Sequence, residues 1–145
     1  MSKYSKIISK IRNVVNGVAP GSEVYLYGSR ARGNSKKLSD WDILILLNAS
    51  GLTFDIEKEL IDSLYDIEIE TGEVISPLIY TKNDWNNKHL FTPLYENINR
   101  EGILLQWNLK KKSISTTDYP VPGIHLMRQK SWLNPGSWIV YQTEI

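Results

Sequence analysis

Hydrophobic positions along the chain follow two periods, one typical of helices and one typical of strands. Residues Tyr4 to Val15 carry apolar side chains at helical spacing with basic residues between them, which predicts an amphipathic helix ended by Gly17 and Pro20. Leu52 to Tyr65 return to this spacing and predict a second helix. Shorter helices are predicted to begin at Thr81 and at Thr92-Pro93, the latter closed by Gly102.

Short apolar runs between these helices predict the strands of a sheet. Trp41 to Leu47 is almost wholly apolar, which is typical of a strand buried on both faces, and Pro77 places its own run near a sheet edge. Ile67 to Glu70 alternates apolar and acidic residues and predicts a strand with one solvated face. The other predicted strands are Val24–Tyr27, Val74–Tyr80 and Ile103–Trp107. Helices and short strands in alternation predict an α/β (α+β) protein with a small mixed sheet flanked by helices.

Length and composition exclude several classes of protein. The 145 residues fit one domain, and a net charge of +1 gives no overall attraction to nucleic acid or to a membrane. The chain has no cysteine, which excludes disulfides and thiolate metal sites. No stretch reaches the roughly 18 apolar residues that cross a bilayer, and the start lacks the apolar core of a signal peptide. We therefore expect a cytoplasmic protein.

The end of the chain is harder to interpret than its beginning. We place a domain boundary after residue 109, because residues 110–145 show no clear period. This extension either packs on the same domain or serves association. Lys110, Lys111 and Lys112 are typical of a solvated loop, with nucleic-acid contact as the less favoured alternative. His89 and His125 stand in no pattern of metal ligands and are interpreted as structural or surface residues.

The chemistry of the chain is concentrated between Tyr25 and Leu47. A strand that stops at Gly28-Ser29 lets a phosphate group approach the backbone closely, because glycine has no side chain. A helix starting there would offer free N–H groups to the anion, and the Ser29 hydroxyl can add a hydrogen bond. Arg30 and Arg32 bring positive charge to the same turn. The turn is therefore a candidate phosphate-binding element.

Asp40 and Asp42 begin the next predicted strand. Residues two apart on a strand point to the same face, roughly 6 to 7 Å apart, while Trp41 between them points to the other face and is interpreted as core. An Asp-x-Asp pair alone is usually a solvated strand face. Here the pair opens an otherwise apolar strand, where unpaired charge is unfavourable and a cation would be stabilising. Two carboxylates beside a phosphate-binding turn are the ligands that Mg²⁺ takes together with substrate phosphates.

These residues resemble the DNA polymerase beta-like nucleotidyltransferase superfamily, and most closely its minimal nucleotidyltransferases of bacteria and archaea. The resemblance covers Lys3 to about Trp107 and is carried by Gly28-Ser29-Arg30-Ala31-Arg32-Gly33 and Ser39-Asp40-Trp41-Asp42. It implies a nucleotidyltransferase fold over residues 1–109 and transfer of a nucleoside monophosphate, AMP from ATP, to an acceptor hydroxyl. It implies Mg²⁺ or Mn²⁺ at Asp40 and Asp42. The nucleotide-binding residues that it indicates are Gly28, Ser29, Arg30, Arg32 and Ser39.

The third carboxylate of such sites has no obvious counterpart. The family pattern places it near Ser76, where the chain has no acid. Glu68, Glu70 and Glu73 precede that strand, and any of them can substitute or can be an ordinary solvated acid. Glu70 is the residue that we predict for this catalytic role.

Two functions of different class follow from the sequence. The first is an enzyme that modifies a small molecule, an RNA end or a protein side chain. The second is a weakly active or inactive module that binds nucleotide or a partner, such as an antitoxin. The resemblance implies a helical HEPN-type protein as that partner. Self-association stays open, and Trp107, Trp132 and Trp138 are its candidate surface.

Overall fold

We analysed a computed structural model, which describes residues 2–106, 124–127 and 139–142. The chain divides into two compact units, residues 1–107 and residues 108–145. The helices and strands of the first unit are α1 (Lys3–Val18), β1 (Glu23–Tyr27), α2 (Gly28–Arg32), β2 (Trp41–Leu47), α3 (Phe54–Thr71), β3 (Ile75–Thr81), α4 (Lys82–Lys88), α5 (Pro93–Glu101) and β4 (Ile103–Gln106). In the second unit, β5 (Ile124–Met127) and β6 (Ile139–Gln142) form an antiparallel pair.

The first unit is built on a mixed four-stranded sheet with the strand order β3-β2-β1-β4. Strand β1 is antiparallel to both of its neighbours, whereas β2 and β3 are parallel. A parallel pair needs a crossover, which α3 supplies between β2 and β3. Pro77 lies in β3, at the edge of the sheet, as predicted. This mixed sheet flanked by helices is the α+β architecture that the sequence predicts.

Helices cover both faces of the sheet. On one face, α1 and α3 bury apolar residues such as Ile11 and Leu60 against Val24, Leu26 and the odd-numbered residues of β2. On the other face, Trp85 of α4 and Ile98 of α5 pack against Leu44 and Leu46. Strand β2 is therefore buried on both sides, as its apolar run predicts.

Local signals in the sequence explain where the helices begin and end. The hydroxyl groups of Thr53, Thr81 and Thr92 accept hydrogen bonds from the N–H groups of the first turns of α3, α4 and α5. Ser2 does the same for α1. Gly72 ends α3 in a left-handed conformation, with φ of 71°. The predicted starts at Thr81 and Thr92 are confirmed.

The strand predicted over Ile67–Glu70 is wrong, because these residues are the last turns of α3. Ile67 continues the buried face that begins with Leu60 and Leu64, while Ile69 is exposed. Four alternating residues fit the period of a helix as well as that of a strand. The helix forms because it buries Ile67 in the core beside the sheet. Glu70 consequently lies on a helix and not on a strand of the sheet.

Several predictions concern the rest of the chain. His89 is structural, as predicted, since its ring lies 4.4 Å from the ring of Tyr80 and 5.4 Å from that of Trp85. The predicted roles of Trp107, Trp132, Trp138 and residues 110–112 fall outside the described residues, as does the side chain of His125. Within the described part of the chain, no helix is long and apolar enough to span a membrane.

Candidate functional site

The turn between β1 and α2 brings Gly28 against Asp42. Gly28 has φ of 73°, a left-handed conformation that side chains other than glycine adopt at a cost. A β-carbon on Gly28 would lie 3.1 Å from Cγ of Asp42 and would overlap its Oδ2. The missing side chain of Gly28 therefore makes room for the carboxylate as well as for a ligand. Tyr27, the N-cap residue of α2, makes no side-chain capping bond to that helix.

Asp42 lies at the point where three strands meet. In the sheet, Asp42 is paired with Tyr27 of β1 on one side and with Ser76 of β3 on the other. The three side chains therefore share one face of the sheet. Burial raises the pKa of Asp42, the negative charge of Asp40 raises it further, and Arg32 partly opposes both effects. The carboxyl group is thus held where negative charge is unfavourable unless a cation joins it.

Asp40 precedes β2 and is exposed. Its Oδ2 atom accepts a hydrogen bond of 3.1 Å from the Ser76 hydroxyl. Because Ser76 is on the same face as Asp42, this bond places the Asp40 carboxylate on that face too. The sequence predicted that the two aspartates share a face, and the structure confirms it. The role of Ser76 as donor to Asp40 was missed, because the register that sets Ser76 opposite Asp42 is decided only when β2 and β3 pair.

Tyr27 is a further residue of this face that the sequence analysis missed. Burial, the Asp42 charge and then Tyr80 raise the pKa of Tyr27 to about 12. The phenol therefore stays neutral at physiological pH and can donate a hydrogen bond. The only sign of Tyr27 in the sequence is its position directly before Gly28, as the last residue of β1.

Arg30 joins the loop that leads into β2. Its Nε and Nη2 atoms donate to the carbonyl oxygen of Ser39 at 3.0 and 2.6 Å, and Nη2 also donates to Oε2 of Glu73 at 3.1 Å. The guanidinium lies 4.4 Å from the centre of the Trp41 ring. The Ser39 hydroxyl accepts from the backbone N–H of Lys36 at 2.8 Å. Arg30 and Ser39 thus bond to each other, and their assignment as nucleotide ligands stays a prediction.

Arg32 is the arginine of the turn with the more exposed side chain. It is 46% exposed, against 12% for Arg30, and its Nη1 lies 3.3 Å from Oε2 of Glu101 in α5. Its effect on the pKa of Asp42 shows that its positive charge is felt at the carboxylate. Arg32 is therefore the side chain of α2 that can meet a phosphate from solvent.

The three glutamates considered for the third carboxylate are engaged elsewhere. Glu68 accepts from the backbone N–H of Ile75 at 2.5 Å, and Glu70 pairs with Lys10 of α1 at 2.7 Å. Glu73 binds Arg30 together with Lys3 and the Trp41 indole. The catalytic role of Glu70 was predicted from a position on a strand, but Glu70 lies on α3. Among the described residues, no three His, Cys, Asp or Glu side chains are grouped so that they could hold a metal ion.

Comparison with known proteins found a matching family model and solved structures of similar fold. The family described as "Polymerase beta, Nucleotidyltransferase" matches residues 9–106, more than half of the chain. A solved toxin–antitoxin structure with AMP-PNP is similar over 70% of this chain and 73% of that chain, with 20% identity and a TM-score of 0.52. A mutant of the toxin–antitoxin MntA–HpeT is similar over the same shares, with 18% identity and a TM-score of 0.51. No curated protein sequence matches the chain.

Proposed function

The chain belongs to the polymerase beta nucleotidyltransferase family, and on this premise we propose that it transfers AMP from ATP to an acceptor hydroxyl. The observation that carries the proposal is the placement of Asp40 and Asp42 on one sheet face, with Gly28 in contact with Asp42. The phosphate-binding turn and the carboxylate pair are thus a single site. The acceptor hydroxyl would lose its proton to solvent and its oxygen would form a bond to the α-phosphorus. The bond from that phosphorus to the bridging oxygen would break, and pyrophosphate would leave with the electron pair.

The donor atoms of this site suit Mg²⁺ or Mn²⁺. Asp40 and Asp42 would hold the ion, and carboxylate oxygens with substrate phosphates are the ligands that Mg²⁺ prefers. The raised pKa of Asp42 fits this assignment, since a carboxylate that burial and a neighbouring charge disfavour gains most from a cation. A bound ion would neutralise charge on the phosphates and lower the barrier to attack by the acceptor.

The protein's own groups would bind and orient the triphosphate. Gly28 and Ser29 would meet phosphate oxygens at the turn, and Arg32 would contribute positive charge from its exposed position. Tyr27, neutral at physiological pH, can donate to a ligand oxygen beside Asp42. In such sites catalysis is mostly positioning and electrostatic stabilisation, which these residues are placed to supply.

We propose a partner protein as the acceptor in preference to a small molecule or an RNA end. Two structures of similar fold are toxin–antitoxin assemblies, and one holds AMP-PNP. A helical HEPN-type toxin is the partner that the family resemblance suggests. The net charge of +1 gives no support to a nucleic-acid substrate.

A second candidate function is nucleotide or partner binding without turnover, as in an antitoxin that acts by contact. One observation favours it: the position on β3 opposite Asp42 holds Ser76, whose hydroxyl occupies an oxygen of Asp40. A site with two carboxylates can bind a metal–nucleotide complex and still turn over slowly.

The first experiment is calorimetric titration with AMP-PNP, with and without Mg²⁺. We expect Mg²⁺-dependent binding that an Asp40→Ala/Asp42→Ala variant loses by at least about tenfold, or about 1.4 kcal/mol. The matched control is Asp62→Ala/Asp66→Ala, which removes two exposed acids from α3. Absence of binding by folded wild-type protein would overturn the transferase function and would leave partner binding without nucleotide as the second function. Binding without label transfer from ATP to any partner would favour the second function.

A further inference from the structure

We infer that Arg30 and Glu73 form a clamp that positions Asp40 for metal binding, an inference that rests on the proposed function. Arg30 is carried by α2, whose first residues form the phosphate-binding turn, and Glu73 lies between α3 and β3. Both side chains make their observed hydrogen bonds within the protein. The clamp would make the phosphate-binding turn and the metal-binding carboxylate one rigid unit.

The clamp holds the residues on both sides of Asp40. On one side, two nitrogen atoms of Arg30 donate to the carbonyl oxygen of Ser39, which is the carbonyl of the peptide bond to Asp40. On the other side, the guanidinium lies over the Trp41 ring, and the Trp41 Nε1–H donates to Oε2 of Glu73 at 2.9 Å. The backbone at Asp40 is therefore fixed while its carboxylate stays exposed on the sheet face.

One oxygen of Glu73, Oε2, accepts hydrogen bonds from both Arg30 and Trp41. The side chains of Arg30 and Glu73 are only 12% and 10% exposed, so this ion pair is shielded from water and from salt. Lys3 at the start of α1 adds a further ion pair to Glu73. The clamp is thus anchored in α1 and at the end of α3, outside the loop that it holds.

The loop has local hydrogen bonds, from Asn34 N–H to the Ser29 carbonyl and between Lys36 and Ser39, but burial adds little to hold it. Residues 33–38 are exposed, and Leu38 is 89% exposed. Ordering a free loop when a ligand binds would subtract from the binding free energy, and a preformed clamp removes that loss. Arginine suits the role because its planar fork can reach a carbonyl and a carboxylate at once, whereas lysine offers a single charged point.

The test compares Arg30→Lys and Glu73→Gln with wild type and with Arg12→Met, which removes an exposed arginine from α1. Supporting residues of this kind change metal affinity by about ten- to a hundredfold, so we expect that loss in the Mg²⁺ concentration that half-saturates AMP-PNP binding. In Glu73→Gln, AMP-PNP binding without Mg²⁺ should stay at the wild-type value, and the Arg12 variant should match wild type in both kinds of binding. A loss of fold alone would instead weaken both kinds of binding equally. Far-UV circular dichroism identifies the folded variants, since Trp41 fluorescence reports on the clamp itself.

A second measurement needs no nucleotide. Hydrogen exchange of residues 33–40 should accelerate in Arg30→Lys and in Glu73→Gln, and ethylguanidinium added to Arg30→Ala should slow it again. Wild-type exchange and wild-type Mg²⁺ dependence in both folded variants would overturn the clamp. If wild-type protein binds no AMP-PNP, the proposed function fails, and the inference that the clamp serves metal binding fails with it, whatever the exchange rates show about the loop.

Discussion

Gly28 and Asp42 are in contact across the β1–β2 pair, with no room between them for a side chain on Gly28. The contact joins the predicted phosphate-binding turn to the half-buried carboxylate of the candidate metal site. The sequence pattern assigns Gly28 to the close approach of a ligand. In the structure Gly28 also makes close contact with Asp42 of the protein itself.

Gly28→Ala should both destabilise the protein and abolish Mg²⁺-dependent AMP-PNP binding. The φ of 73° costs a non-glycine residue about 1–2 kcal/mol, and displacement of Asp42 should add about 1–3 kcal/mol. Gly72→Ala is the control, because Gly72 has φ of 71° and nothing within 4 Å of its added β-carbon. Urea unfolding and calorimetry measure the two effects. Equal stability losses in the two variants would show that Asp42 moves aside freely.

Asp42→Asn should leave the metal-free protein as stable as wild type or more stable, by up to about 1 kcal/mol. The raised pKa means that the folded state binds the proton of Asp42 more tightly than the unfolded chain does. Ionisation of Asp42 therefore lowers stability at neutral pH, and asparagine removes that charge. Denaturant unfolding in chelator, beside Asp66→Asn, measures the effect. Marked destabilisation would show instead that the carboxylate makes a structural bond.

Glu73 should make stability depend on pH in the acid range. Hydrogen bonds from Lys3 and then from Trp41 lower the pKa of Glu73 below its ordinary value. A group whose pKa is lowered by folding contributes fully above its unfolded pKa of about 4.3 and loses that contribution as pH falls through the folded pKa. The Tm difference between wild type and Glu73→Gln should therefore be largest near neutral pH and shrink below about pH 4. A difference that stays constant with pH would contradict the ionic role of Glu73.

Ser76→Asp should strengthen divalent metal binding and weaken the metal-free fold. The new carboxylate would lie opposite Asp42 and within reach of Asp40, since the Ser76 hydroxyl already bonds Asp40. Three like charges repel one another without a cation and share one when it is present. Mn²⁺ titration and thermal unfolding with and without metal measure both effects, with Ser76→Asn as the neutral control. Unchanged Mn²⁺ affinity would show that residue 76 points away from the metal.

Local patterns predicted most of the elements because capping residues and periodicity act over a few neighbours. The threonines before α3, α4 and α5 and the apolar run of β2 each identify an element without reference to distant residues. The segment Ile67–Glu70 was assigned wrongly, since four alternating residues fit either period until packing against the sheet is known.

What the sequence by itself determined is the family, the fold class and the carboxylate pair, because a glycine turn and two acids at fixed spacing are written within one stretch of chain. What only the tertiary structure decided is how those residues are supported. Arg30 and Glu73 are separated by 43 positions, and Asp40 and Ser76 by 36. No periodicity links such pairs, since their contact depends on the register of β2 with β3 and on the point where α3 ends.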